Sequence, residues 1–251
     1  MMTNRDIAEY TLDALKKAGA DHAQCIVSTG KTDEFNIDGG DFSLLRTLFN
    51  SSITIKALID GKKGIISANR LDMESIDKAV KECIAAAESS VSDEAESIAP
   101  RIKNENFVAG VLEPDRDKLF DRLKEYLADV KNNYPKIILE QLVSKYVYSE
   151  SVFMNTNGVE FTYTCGNYDL SSMFSAHEGE KSSSFNGYYT KFDSLDGKLI
   201  DIGMQRTLFA ESEMQIDTKP FPGKTVGKVI ITPACLYDML MIAFGNFISD
   251  S

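Results

Sequence analysis

The stretch Val152–Gly166, VFMNTNGVEFTYTCG, is the strongest hairpin signal in the chain. Asn157-Gly158 suits a type I′ turn, and Val159, Phe161 and Tyr163 alternate with polar residues after it. We therefore predict two antiparallel strands joined by a tight turn.

The predicted secondary structure extends to both sides of this hairpin. A helix is expected after Pro114, because apolar residues recur there at the helical period. These residues are Leu119, Phe120, Leu123, Tyr126, Leu127 and Val130. The stretches YDLSSMFSA (168–176) and SSSFNGYYTKF (182–192) predict two more strands, joined by HEGEK as a hairpin loop. A further helix is expected from about residue 195 to 213.

The N-terminal part has its own helices and strands. Thr3-x-x-Asp6 resembles a capping box, and the helix that it opens should end at Gly19. A second helix is predicted with Asp72 as its N-cap. Four β-rich stretches lie between the helices, and Asp60-Gly61 is expected as a hairpin turn. The stretches are AQCIVSTG (23–30), TDEFNID (32–38), FSLLRTLFN (42–50) and SSITIKALIDGKKGIISAN (51–69).

These patterns predict an α+β fold: two α/β units with mainly antiparallel sheets flanked by helices, followed by the first strand and helix of a C-terminal domain. The polar segment 89–106 places a boundary near Pro100, and DTKPFPG (217–223) is expected to be a domain-linking turn. The expected domains are 1–100, 101–219 and 220–251. In the last, KVIITP (228–233) predicts a buried strand, and Pro233 stands at the first position of a helix. The remainder of that domain is expected to be absent.

Composition limits the classes of function. The net charge of −11, without a basic stripe, disfavours nucleic-acid binding. No apolar run approaches the roughly 18 residues of a membrane helix, and the N-terminus lacks a signal-peptide pattern, so we expect a cytoplasmic protein. The four cysteines are widely scattered, which favours reduced, mostly buried thiols.

The motifs that suggest chemistry are incomplete. His177-Glu178 would need histidine at position 181 or 182 to form a zinc-peptidase motif, and these positions hold Lys181 and Ser182. PFPGKT lacks the first glycine of a phosphate-binding loop, because position 218 is Thr218. Serine nucleophiles are expected to have no neighbouring histidine to activate them. The stretch KSSSFNGYYT is either a sheet edge that receives a peptide strand or an exposed sheet face.

Three stretches, in this order, resemble the TldD/PmbA family, whose members are also called modulators of DNA gyrase and are cytoplasmic metallopeptidase subunits. They are LIDGKKGIISANRLDMESIDKAVKECIAAA, VFMNTNGVEFTY together with FNGYY, and PFPGKTVGKVIITPACLYDMLMIAF. The family has a TldD-like kind of subunit, which carries an H-E-x-x-x-H zinc motif, and a PmbA/TldE-like kind, which lacks it.

The resemblance places the zinc motif at residues 241–246. Both histidines and the glutamate are replaced there, by Met241, Ile242 and Asn246. Met and Ile offer no hard metal ligand, and a neutral Asn is a poor substitute for imidazole. The resemblance therefore implies the PmbA/TldE-like kind, with no catalytic, cofactor-binding or metal-ligating residue in this chain.

The resemblance implies a subunit, or an N-terminal fragment of one, that does not cut peptides itself. A TldD-like partner would hold the zinc and cut unfolded peptides, in a heterodimer, although a homodimer is also open. Two alternatives remain: a peptide-binding or assembly module without a proteolytic role, and an enzyme whose ligands come from a further C-terminal region.

Overall fold

A computed structural model describes residues 2–220, 223–224 and 226–247, with only the backbone of Ala234. The chain divides into two compact units, Met1–Asp217 and Thr218–Ser251. The first unit contains four α-helices and eight strands. They are α1 (Asn4–Lys17), β1 (His22–Asp38), β2 (Asp41–Ile59), β3 (Lys62–Ala68), α2 (Met73–Ser89), β4 (Glu105–Gly110), α3 (Arg116–Asn133), β5 (Ile137–Asn155), β6 (Glu160–Glu178), β7 (Lys181–Ser182), β8 (Asn186–Phe192) and α4 (Gln205–Met214).

One sheet joins the strands in the order β3-β2-β1-β5-β6-β4. All pairs are antiparallel except β4 with β6, and β8 pairs with a different part of β6. The predicted α+β class with mainly antiparallel strands and flanking helices is confirmed. The sheet is continuous through both predicted N-terminal units, because β1 pairs with β5 along most of its length. The boundary near Pro100 stays a prediction.

The four helices of this unit pack on one face of the sheet, which we call the helix face. There, α1 and α2 cover one hydrophobic cluster, which includes Cys25 and Ile55, and α3 and α4 cover a second, which includes Phe35 and Phe174. Side chains alternate between faces along a strand. The neighbours of these buried residues therefore lie on the opposite, helix-free face.

The helix boundaries agree well with the capping signals. Thr3 and Asp6 form the reciprocal hydrogen bonds of a capping box, and the Asp72 side chain accepts from the backbone N–H of Ser75. The helix predicted from 195 to 213 is wrong in its first part. A short 3₁₀-helix, Leu199–Asp201, precedes α4, which begins only at Gln205.

Of the two predicted hairpin turns, the one at Asp60-Gly61 is confirmed, and the type predicted for Asn157-Gly158 is wrong. Asp60 and Gly61 both have positive φ, 49° and 74°, as a type I′ turn requires. At Asn157-Gly158, only Gly158 has positive φ, so the predicted type I′ turn is wrong. The Asn155 side-chain oxygen instead accepts from the N–H groups of Asn157 and Val159 and shapes a longer loop between β5 and β6.

The predictions of strand number and extent are partly wrong. β1 and β2 are each one long strand where two separate strands are predicted. β6 likewise joins the second strand of the predicted hairpin to the stretch YDLSSMFSA. The parallel strand β4 lies inside the predicted linker. Among the described residues, no helix combines the length and apolar character that a membrane crossing requires.

The second unit contains α5 (Pro233–Phe247), which begins at the predicted proline. The buried strand expected at KVIITP is wrong: residues 228–231 form no strand, and Val229 and Ile230 are 83% and 89% exposed. No described strand pairs with them, and an unpaired segment cannot satisfy its backbone as a sheet does. The predicted turn DTKPFPG lies partly outside the described residues.

Candidate functional site

The helix-free face carries a row of five charged residues, which we call the charge row. Glu34 lies opposite Arg46 of β2 and Lys145 of β5. Lys145 in turn lies opposite Asp169, and Asp169 opposite Lys191. Directly opposite residues project from the same face of a sheet. The row therefore crosses five strands with alternating positive and negative charge.

Glu34 is the carboxylate of the charge row that has the most ion pairs and hydrogen bonds. Its side chain is 4% exposed and lies 2.7 Å from Arg46 Nη2 and 3.3 Å from Lys145 Nζ. Asn36 Nδ2 donates a further hydrogen bond of 2.7 Å. Burial acts to raise the pKa of Glu34, but the hydrogen bonds from Asn36 and Lys145 and the nearby positive charges hold it below the ordinary value.

Asp169 has the opposite electrostatic character. It is buried and forms no ion pair with a described side chain. Burial raises the pKa of Asp169, and the positive charges of Lys145 and Lys191 only partly oppose this effect. In the charge row, the protein thus stabilises the ionised form of Glu34 and destabilises the ionised form of Asp169.

Glu34→Gln should lower the free energy of unfolding at pH 7 by about 1–3 kcal/mol, because it removes a charged acceptor from buried hydrogen bonds. When folding lowers the pKa of a carboxyl, the ionised group stabilises the fold at pH values above its pKa in the unfolded chain. This contribution is lost as the pH falls through its pKa in the folded protein. The difference from wild type should therefore shrink in acid. Urea unfolding of both proteins at neutral pH and at about pH 4 measures this difference in the free energy of unfolding.

Asp169→Asn is the matched control for this prediction. Its raised pKa means that ionised Asp169 destabilises the fold above the ordinary carboxyl pKa. The variant should therefore be at least as stable as wild type at pH 7, with no advantage in acid. A loss in Asp169→Asn equal to that in Glu34→Gln would contradict this account of the row.

The helix-free face also carries a group of aromatic rings, which a band of small residues separates from the charge row. Ser28 and Ser151 lie in this band, with their Oγ atoms 2.8 Å apart. Beyond it, Phe161 lies between Phe153 and Phe107, with ring centroids at 6.1 and 6.0 Å. Tyr163 and Phe107 are each 45% exposed. The face therefore offers charges, hydroxyl groups and aromatic rings to a ligand.

β8 forms an edge of the sheet on this side. It pairs with β6, and no other described strand pairs with it. Tyr189 and Lys191 project from its helix-free face, and Tyr189 is 56% exposed. Both interpretations of KSSSFNGYYT, a receiving edge and an exposed face, fit this geometry.

His177 and Glu178 end β6 rather than lie in a loop, opposite Ser182 and Lys181. The statement that serines lack a neighbouring histidine was wrong, because Ser175 Oγ lies 2.9 Å from His177 Nε2. Alternate residues of a strand share a face, and this spacing was visible in the sequence.

The hydrogen bonds of this serine–histidine pair run in the wrong order for a nucleophilic serine, because the carboxylate lies next to the serine and not next to the histidine. The Ser175 hydroxyl also lies 3.2 Å from Glu140 Oε1, to which it can donate its single proton. In that arrangement the His177 tautomer with its proton on Nε2 donates to Ser175, and this nitrogen is not a base toward the hydroxyl. In a catalytic triad the carboxylate orients the histidine. Ser175 is also only 3% exposed, so the group is structural.

Two of the four cysteines are buried thiols that are hard to ionise. Cys25 and Cys83 are buried, Cys165 is half-buried and Cys235 is exposed, and all are free. Burial raises the pKa of Cys25 to about 12 and that of Cys83 to about 11. Thiolates are the nucleophilic form, so these two thiols are inert at neutral pH.

The positions that the sequence resemblance assigns to the zinc motif lie on α5. Asn246 Nδ2 donates to the backbone oxygen of Ile242 at 2.8 Å, so its amide is used within the helix. Met241 and Ile242 are apolar, and the three residues do not fit zinc. In the described part of the chain, no three His, Cys, Asp or Glu side chains are grouped as metal ligands.

Comparisons with known proteins agree with the sequence resemblance. Residues 23–87 match the model of PmbA/TldA metallopeptidase domain 1. No curated protein matches. Ten solved chains match in structure. TldE from Thermococcus kodakarensis has a TM-score of 0.66 at 14% identity, over 84% of this chain and 47% of its own.

Two candidate modulators of DNA gyrase also share the fold. The one from Bacteroides thetaiotaomicron has a TM-score of 0.65 at 20% identity, over 84% of this chain and 50% of its own. The one from Thermotoga maritima has a TM-score of 0.60 at 15% identity, over 85% of this chain and 48% of its own. The chain thus spans about half the length of these structures. The family model confirms the resemblance to the PmbA/TldD proteins at residues 23–87, and the solved structures confirm the fold.

Proposed function

We propose that this chain is a non-catalytic subunit of a cytoplasmic TldD/PmbA-type metallopeptidase, supported by the match of residues 23–87 to PmbA/TldA metallopeptidase domain 1 and by the sequence resemblance to the PmbA/TldE-like proteins. The observation that carries this proposal is the residue content of α5, where Met241, Ile242 and Asn246 occupy the positions that the sequence resemblance assigns to the zinc motif. A TldD-like partner would supply the zinc and the proton-transferring glutamate.

The proposed role of this chain is to hold unfolded peptide for the partner. Peptides bring backbone amides, side-chain charges and apolar groups together, and the helix-free face offers a partner for each. Lys191 and Arg46 lie toward the two ends of the charge row, Ser28 and Ser151 occupy the band of small residues, and Tyr163 lies in the aromatic part. An aromatic side chain with a polar group suits a binding surface that remains partly wet.

A second candidate is a peptide-binding or assembly module without a role in proteolysis. The exposed edge at β8 favours it, because an edge strand can receive an extended peptide by backbone hydrogen bonds. Both candidates need peptide binding, and only the first needs a zinc-bearing partner.

A reconstitution experiment tests the proposed function. The purified chain is mixed with a TldD-like protein that carries H-E-x-x-x-H, and cleavage of a fluorogenic unfolded peptide is followed with and without each component. We expect no cleavage and substoichiometric zinc for this chain alone, and greater cleavage for the mixture than for the partner alone. Stoichiometric zinc with cleavage by this chain alone would refute the non-catalytic role.

Tyr163→Ala maps the peptide site within the same experiment. It should weaken peptide binding about tenfold, equivalent to roughly 1.4 kcal/mol, in the range of an aromatic contact. Val91→Ala is the control, because Val91 is 88% exposed and lies outside every strand. Peptide binding that Tyr163→Ala weakens, with no stimulation of the partner, would favour the second candidate.

A further inference from the structure

A cavity of about 320 Å³ opens on the helix face, between α3 and the strands β1 and β2. Two directly opposite pairs of strand residues line it on the sheet side: Asp33 with Thr47, and Phe35 with Leu45. The cavity therefore has a polar end and an apolar end. Ligand pockets range from about 300 to 1,000 Å³, so this one suits a small molecule.

Helix α3 lines the other side of the cavity with Arg116, Asp117 and Phe120. Residues three and four positions apart are neighbours on a helix, so Phe120 lies beside both charged residues. The ring of Phe120 lies over that of Phe35 at the apolar end, with centroids 6.0 Å apart. Phe120 and Leu45 are 37% and 66% exposed, so apolar surface is open to a ligand there.

A buried carboxylate orients the positive charge at the polar end. The Asp33 side chain is 2% exposed, and its Oδ2 lies 2.8 Å from Arg116 Nε and 2.6 Å from Arg116 Nη2. Its Oδ1 accepts from Thr47 Oγ1 at 2.6 Å. Lys31 Nζ lies 3.9 Å from the same Oδ2, so two positive charges face one negative charge. Arg116 Nη1 has no acceptor among the described residues and remains able to donate.

The negative charge of the cavity comes from Asp117. Its side chain is exposed and makes no ion pair or hydrogen bond with another described residue. Arg116 and Asp117 also line an adjoining open cavity with Glu113 and Asp115, whose charges favour a cation on that side. The guanidinium thus suits a carboxylate, and Asp117 suits an ammonium group close to it.

We propose that this cavity binds a free apolar α-amino acid, for which leucine is the probe. The carboxylate accepts from Arg116 Nη1, the ammonium group donates to Asp117, and the side chain packs between Leu45 and Phe120. Only a free amino acid carries both charges on one carbon atom, because amide bonds remove them from the internal residues of a peptide. The two charges therefore select the amino acid over a peptide segment.

This inference is independent of the proposed function, because it needs neither zinc nor a partner. The cavity also lies on the helix face, opposite the surface proposed for peptide. Failure of the reconstitution leaves it untouched, and absence of leucine binding leaves the reconstitution untouched.

Calorimetric titration of the purified chain with leucine tests the site. We expect a dissociation constant of about 1 mM or lower, in the range open to a ligand of this size. Leucinol lacks the carboxylate, N-acetylleucine lacks the ammonium group and glycine lacks the apolar side chain. Each should bind at least about tenfold more weakly than leucine, because each leaves one part of the cavity without its partner. Equal binding of leucine and any of the three would overturn the proposal.

Two variants locate the site. Asp117→Asn removes the partner of the ammonium group with little change of shape and should weaken leucine binding at least about tenfold. Asp121→Asn is the matched control, because Asp121 lies one turn further along α3, is 70% exposed and does not line the cavity. Arg116→Lys keeps a positive charge beside Asp33 but loses the planar guanidinium, so it should fold and also bind leucine more weakly.

Three results would overturn the assignment. The first is no heat of binding at about 10 mM leucine, well above the expected dissociation constant. The second is equal leucine binding by the Asp117→Asn and Asp121→Asn variants, which would place the ligand elsewhere. The third is tighter binding of the tripeptide Gly-Leu-Gly than of leucine, which would make the cavity a peptide site.

Discussion

Gly166→Ala is expected to lower the free energy of unfolding by roughly 3 kcal/mol or more, at the upper end of overpacking effects. A Cβ at Gly166 would overlap the carbonyl oxygen of Val111 and come within 2.6 Å of Tyr146 Oη. Backbone cannot yield as a flexible side chain does. The carbonyl oxygen of Gly166 accepts from Val111 N–H at 2.7 Å, and the Tyr146 hydroxyl donates to the carbonyl oxygen of Val111 at 2.8 Å. The variant should therefore detach β4 from β6.

Gly197→Ala is the matched control for this change. Gly197 is exposed, has no positive φ, and a Cβ there would have no neighbour within 4 Å. Urea unfolding should show nearly wild-type stability for Gly197→Ala and a large loss for Gly166→Ala. Equal stability of the two variants would mean that β4 does not contact β6 as closely as the structure shows.

The contact between β4 and β6 also marks a limit of prediction from sequence. Local signals at Thr3, Asp72 and Asp60-Gly61 were sufficient to place helix starts and a turn, because each depends on a few neighbouring residues. β4 lies in a polar segment without apolar alternation, and its pairing with β6 is parallel and non-local. Nothing in ENFVAG indicates which strand lies beside it.

The charge row could not be predicted for a related reason. Its five residues come from five strands, and they align only through four separate strand registers. A shift of one residue in any register would send a side chain to the other face. The side chains around Glu34 reach it through the pairings of β1 with β2 and β5, so the local sequence DEFN does not reveal its burial.

Phe209 illustrates a prediction that was right in type and wrong in extent. A helix was expected from residue 195, and the helical segment that carries Phe209 begins at Gln205. Between them, Leu199 and Ile200 are buried in a 3₁₀-helix that packs in the same core as Phe209. Tertiary packing of these apolar residues, rather than local propensity, sets where α4 begins.

Phe209→Ala should cost about 3–5 kcal/mol, the largest loss among the substitutions proposed. Phe209 is fully buried, and its ring lies 4.6 Å from that of Phe174 and 5.1 Å from that of Tyr134, measured between centroids. It therefore joins α4 to β6 and to the end of α3. Truncation leaves a cavity among aromatic rings, which the surrounding strands and helices cannot easily fill.

Met214→Ala is the control for Phe209→Ala, because Met214 ends the same helix and is 76% exposed. Urea unfolding should leave Met214→Ala near wild type, and hydrogen exchange of Phe209→Ala should show faster exchange in α4 than in β1. A loss below about 1 kcal/mol would contradict the packing of α4 on the sheet, since even well-relaxed aromatic truncations cost more. The outcome also bears on the candidate site, because Phe174 and Asp169 lie on the same strand. If α4 holds β6 in place from the helix face, Phe209→Ala should also weaken peptide binding on the helix-free face, whereas Met214→Ala should not.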